Sequence, residues 1–135
     1  MSFLIDEPVN SIPSGSNCGA QATFLGIIRS DKVDGKQVKA IEYSAFEPMA
    51  EKVFQQIQDE IMSRFDIESL VIQHSTGMVK AGEASMLVEV GSRHRAAAFD
   101  ALRETVELIK EKAPVWKKEI YDEGSHIWVN AEIKA

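Results

Sequence analysis

Apolar positions recur along this chain with two periods. Met49, Val53, Ile57 and Ile61 return every four residues, Ala50 and Phe54 widen the stripe, and Glu51, Lys52, Gln55, Gln58 and Asp59 lie opposite. That pattern predicts an amphipathic helix beginning after Pro48. A second stripe, Phe99, Leu102, Val106 and Ile109, predicts a helix over about residues 93–112. Ser92 is its candidate N-cap, and Ala113-Pro114 ends it, because a residue before proline is pushed out of helical geometry. Apolar and β-branched runs predict strands over Ala20–Arg29, Val38–Tyr43, Ile67–His74 and Met86–Val90. Two more, Val115–Tyr121 and Ser125–Ala131, close the chain around Asp122-Glu123-Gly124. Ser30–Lys36 reads as a loop and Gly77–Gly82 as a turn, while the first 18 residues suggest a strand and an irregular connection.

After that first strand the order is β, β, α, β, β, α, β, β. It predicts an α+β fold, a single domain over residues 1–135 in which a mostly antiparallel sheet carries two long helices. Length and composition agree: 135 residues suit one domain, and 44% hydrophobic with 27% charged content is globular. A net charge of −6 argues against general affinity for nucleic acid or anionic membrane. The single Cys18 excludes an internal disulfide framework and a multi-cysteine metal site, and its polar surroundings suggest an incidental thiol. No apolar run approaches the roughly 20 residues of a membrane span, and no basic-then-apolar leader opens the chain. The expected location is cytoplasmic.

Charge is unevenly distributed. Between Arg93 and Lys118 seven cations face four acids, so this segment is +3 and the remainder −9. A locally basic element in an acidic protein suits a small anionic ligand. With Ser92 as N-cap, Arg93, His94 and Arg95 would crowd the first helical turn, against the helix dipole but beside its free N–H groups. A bound phosphate would reconcile the two; pairing with surface carboxylates is the plain alternative. At the other end, Lys110 occupies the last turns and Lys117 lies beyond the proline on a strand that puts Lys117 and Glu119 on one face and Trp116, Lys118 and Ile120 on the other. Two lysines converging there would depress each other's pKa and could serve as acid or base near neutrality. The histidines lack paired ligand spacing, and no Walker loop, GxGxxG, GxSxG or HExxH is present.

The segments TFLGIIR (Thr23–Arg29), IEYSAFEPMAEK (Ile41–Lys52), His74-x-x-Gly77 with Gly82-Glu83, SRHRAAAFDA (Ser92–Ala101) and LIKEKAPVWKKE (Leu108–Glu119) carry a resemblance. Together they resemble the catalytic (large) subunit family of molybdopterin synthase. The resemblance implies an α/β hammerhead-type α+β fold and a sulfur-transferase activity, with no metal and no bound cofactor. The substrate it implies is cyclic pyranopterin monophosphate. The sulfur would arrive as a C-terminal Gly-Gly thiocarboxylate on a small ubiquitin-like partner. Lys110 and Lys117 match the family's catalytic lysines. Arg29, His94 and Arg95 match phosphate-holding residues, and Ile27, Ile28, Lys118 and Glu119 lie in the same pocket-lining segments. Ser75 and Ser30 depart from the family pattern, which puts fine substrate contacts in question.

Arg95 and Lys110 are 15 residues apart on one helix, about 22 Å at 1.5 Å per residue. One small pterin does not span that. The expected assembly is therefore a homodimer with a shared site, Lys110 and Lys117 from one copy and His94 and Arg95 from the other, as the resemblance also implies. The alternative is a ferredoxin-like dimeric module that binds a ligand without catalysis.

Overall fold

The structure, a computed structural model, describes residues 3–10 and 15–129. Its strands and helices follow in the order β1 (Leu4–Ile5), β2 (Ala20–Ile27), β3 (Lys32–Val33), β4 (Lys36–Ala45), α1 (Glu47–Arg64), β5 (Ser69–Ser75), β6 (Gly77–Lys80), β7 (Ala84–Ser92), α2 (Arg95–Lys112), β8 (Val115–Tyr121) and β9 (His126–Val129). They form two sheets. The first has the order β1-β5-β7-β2; the second runs β3-β4-β8-β9, with β6 also pairing β4. Only the β1–β5 pair is parallel among the described pairings, so the α+β, mostly antiparallel expectation holds. Two sheets with helices against the first differ from the single sheet of a ferredoxin-like module.

Both helices pack on one face of the first sheet. Ala50, Phe54, Ile57 and Ile61 of α1 are buried, together with Leu70 and Ile72 of β5 and Met86, Val88 and Val90 of β7. Each large side chain so removed from water is worth about 1.5–3 kcal/mol. The predicted stripe of α1 is thus right in period but rotated: Met49 is exposed and Val53 half-buried. In α2 the rotation is larger. The buried residues are Ala98, Ala101, Thr105, Leu108 and Ile109, whereas Phe99 is 61% exposed and Leu102 and Val106 are half-buried. Small side chains at 98, 101 and 105 bring the helix backbone close to the sheet, and the Thr105 hydroxyl donates to the Ala101 carbonyl at 2.7 Å, so it enters the core satisfied. The strand between them, β7, is buried along all nine residues.

Three further boundaries differ from expectation. β7 continues to Ser92, and α2 starts at Arg95 with His94 as N-cap and no side-chain cap. Ser92 is spent elsewhere, its hydroxyl donating to the His94 carbonyl. The predicted turn at Gly77–Gly82 contains strand β6, because its backbone pairs with Ala40–Tyr43 of β4 and Val79 enters the second core. The reversal itself falls at Ala81–Gly82, where Gly82 has φ +89°. Within the predicted loop, Lys32–Val33 pairs with Lys36–Gln37 about a turn at Asp34–Gly35. The last strand ends its described part at Val129; residues 130 and 131 of the expected span lie outside the described residues.

The second sheet closes over its own cluster, Ile28, Val38, Ile41, Tyr43, Val79 and Tyr121. Val115, the first residue of β8, packs against both clusters and so ties the end of α2 to the junction of the sheets.

Candidate active site

Helix α2 ends where expected. Ala113 is its C-cap in extended geometry, its N–H still bonded to the Ile109 carbonyl, and Pro114 turns the chain directly into β8. Lys110 stands in the last turn, where the helix dipole favours a cation. Lys117 lies opposite Tyr43 across the β4–β8 ladder, and Glu119 opposite Ile41. Cross-strand partners share a face, so Lys117 projects on the inner side with buried Tyr43 and Ile41. Lys118 projects outward, 2.9 Å from the Glu42 carboxylate and over the Trp128 ring at 5.2 Å. Glu119 accepts the Tyr121 hydroxyl at 2.9 Å.

Within electrostatic reach of the two lysines lies a histidine absent from the expected site set. His74 ends the apolar run of β5 and is 8% exposed. Its ring meets Tyr43 edge-on, with centroids 5.0 Å apart and planes at 78°, and its Nδ1 is 2.8 Å from the Ser75 carbonyl. Burial lowers its pKa to about 4, and the ammonium charges of Lys110 and Lys117 push the same way, against the Ser75 bond. His74 is therefore neutral at neutral pH and within electrostatic reach of both lysines. Tyr43 is fixed in turn by a buried 3.0 Å bond to Ser85, and burial keeps its phenol above the usual range. The His74 backbone is held as well: its N–H donates to the Phe3 carbonyl, while Glu51 of α1 accepts the Phe3 and Leu4 amides. In the sequence His74 showed only as the end of a strand and as part of the His74-x-x-Gly77 segment, with no role attached.

The remaining expected residues fall into two places. Ile27, Ile28 and Arg29 leave β2 at the sheet end where Gly26, Met86 and His74 stand in one row. Ile27 is exposed beside a concavity of about 550 Å³ shared with Pro8, Leu25 and Glu83. Ile28 is buried in the second core, and Arg29 is exposed with Asp31 at 3.3 Å, a weak surface pair. His94 and Arg95 lie at the opposite end, beyond Ser92. From Met86 to Ser92 is six strand residues, about 20 Å at 3.3 Å each. So the structure brings Lys110, Lys117, Lys118, Glu119 and residues 27–29 to one end of the molecule and leaves His94 and Arg95 at the other.

That second end has its own shape. Gly19 lets the 15–19 segment lie against the β7–α2 connection: a Cβ there would sit 2.5 Å from the Arg93 carbonyl oxygen. The resulting groove, about 330 Å³, places half-buried Cys18 beside Arg93 and His94. Cys18 thus has the basic neighbours that its sequence surroundings did not suggest. Among the described residues no group of three or more His, Cys, Asp or Glu could hold a metal ion, and no helix is long and apolar enough to cross a membrane.

The sequence profile of the MoaE protein family matches residues 2–112. The chain belongs to the MoaE family. A relative from a Nostoc species, named molybdopterin synthase catalytic subunit, is 39% identical over 125 residues, covering 92% of this chain and 75% of that protein. The human protein of the same name is 37% identical over 121 residues, 90% of this chain and 63% of its own length. The MoaE fold is matched by the crystal structure of molybdopterin synthase from Staphylococcus aureus, with TM-score 0.85, 32% identity and 96% coverage of each chain. MoaE membership rules against the non-catalytic ferredoxin-like alternative.

Proposed function

We propose that residues 1–135 act as one domain, the catalytic subunit of a molybdopterin synthase working in the cytoplasm. It transfers sulfur to cyclic pyranopterin monophosphate from the C-terminal Gly-Gly thiocarboxylate of a small ubiquitin-like partner. The observation that carries this reading is that Lys110 at the end of α2 and Lys117 on β8, joined through Ala113-Pro114, both act electrostatically on the buried, neutral His74. Transfer from a thiocarboxylate needs a cation where charge develops on oxygen and sulfur, and a proton for the departing group. Lys110 orients and polarises the acyl–sulfur end of the partner's tail. Lys117 moves the proton or holds the pterin, and Arg29, Lys118, Glu119 and the Ile27-Ile28 segment lie at the same end of the molecule.

His94 and Arg95 complete the site from a second copy of the chain. The reading is supported by their position at the far end of α2 and by the uncapped N-terminus there, whose free N–H groups suit a phosphate. The chain mixed with thiocarboxylated partner and the cyclic precursor is expected to form molybdopterin. Lys110→Ala should remove that activity while leaving the melting transition in place. Near-normal turnover by the variant would refute the role of Lys110, and no partner binding by the unaltered chain would refute the assignment.

A further inference from the structure

The two lysines of the proposed site belong to different layers. Lys110 is carried by α2, whose buried Ala98, Ala101, Leu108 and Ile109 pack into the cluster of the first sheet. Lys117 is carried by β8 in the second sheet, directly opposite Tyr43 of β4. Where one lysine stands relative to the other therefore depends on how the second sheet is seated on the first.

Tyr43 makes that seating specific. It belongs to the core of the second sheet, yet its polar and aromatic contacts both reach the first. Its hydroxyl shares a 3.0 Å hydrogen bond with the Ser85 hydroxyl of β7. Its ring meets His74 of β5 edge-on with centroids 5.0 Å apart, and His74 lies 6.4 Å from Phe54 of α1. A row of rings thus runs from the second core into the first. Tyr43 and Ser85 are only 9% and 5% exposed, so water does not replace a partner that moves away. An apolar contact can slide, but a buried hydroxyl pair has a narrow range of good geometry.

We propose that Tyr43 is a positioning residue for the reaction: its bond to Ser85 and its ring contact with His74 seat β4 on the first sheet, and through the β4–β8 ladder they place Lys117 relative to Lys110. The purpose of this clamp rests on the sulfur-transfer reading, whereas the clamp itself rests on the contacts alone. Tyr43 acts through the strand beside it.

Tyr43→Phe, Ser85→Ala and the double variant test this. Each single change leaves one buried hydroxyl without its partner, and the double change removes both. Melting temperature should fall in the singles and recover in the double. Turnover should behave differently. With saturating thiocarboxylated partner and cyclic precursor, kcat should fall about tenfold in all three with KM little changed, because a misplaced group costs rate. The double should be no worse than either single, as for two halves of one bond. Residual dipolar couplings of the β4 and β8 amides, fitted in the frame of β5 and β7, should shift in every variant. Near-normal kcat, or unchanged couplings, in a folded Tyr43→Phe or double variant would overturn the inference. So would a double variant whose kcat returns with its melting temperature, since the bond would then be merely structural. Shifted couplings in variants of a chain that itself makes no molybdopterin would uphold the clamp and contradict the sulfur-transfer reading.

Discussion

Lys117 and Tyr43 face each other across one ladder, and that register, with the end of α2 beside it, determines what stands next to His74. The lysines were legible in the sequence because a proline stop between two basic residues is a local feature. The surroundings of His74 were not, since Tyr43 from β4 and Phe54 from α1, both distant in sequence, meet at its ring. His74 also gives the chain a specific acid sensitivity. Its pKa is near 6.5 in the unfolded chain and about 4 when folded, so the unfolded state takes up a proton first as pH falls. The stabilisation is full above about pH 6.5 and is lost progressively towards about pH 4, on the order of 3 kcal/mol in total. Urea unfolding at a series of pH values should show this slope, and His74→Phe should flatten it. An identical slope in the variant would mean that other groups carry the acid sensitivity.

At the scale of elements, the sequence located both helices and most strands because their apolar periods are strong. Faces and ends were harder to read. Nothing in a single stripe says that Ala98, Ala101 and Thr105, rather than the larger Phe99, face the sheet; that follows from how closely α2 must approach β7. Likewise Gly77–Lys80 has turn-forming residues at its ends, and only pairing with β4 makes it a strand. The corrected faces predict contrasting mutants. Phe54→Ala, at a side chain with no exposure, should destabilise the fold by about 3–5 kcal/mol. Phe99→Ala should change stability by no more than about 0.5 kcal/mol, as at other exposed positions. Chemical denaturation of the two variants checks this, and a large loss in Phe99→Ala alone would restore the original stripe.

At the scale of the whole molecule, the proposed contact residues separate to two ends about 20 Å apart, a division that the length of α2 already implied in the sequence. Which residues join each end was not legible, because the placement of residues 27–29 beside His74 comes from the β2–β7–β5 ladder. The proposed site is built from two copies, with the lysines of one and His94 and Arg95 of the other. Complementation tests it most directly. Lys110→Ala and Arg95→Ala chains, each inactive alone, are unfolded, mixed in equal amounts, refolded together and assayed for molybdopterin with thiocarboxylated partner. In a two-fold dimer every mixed pair has one site in which both the lysine and the arginine are intact, so the mixture should recover about a quarter of the unaltered activity. A mixture as inactive as its components would contradict the shared site.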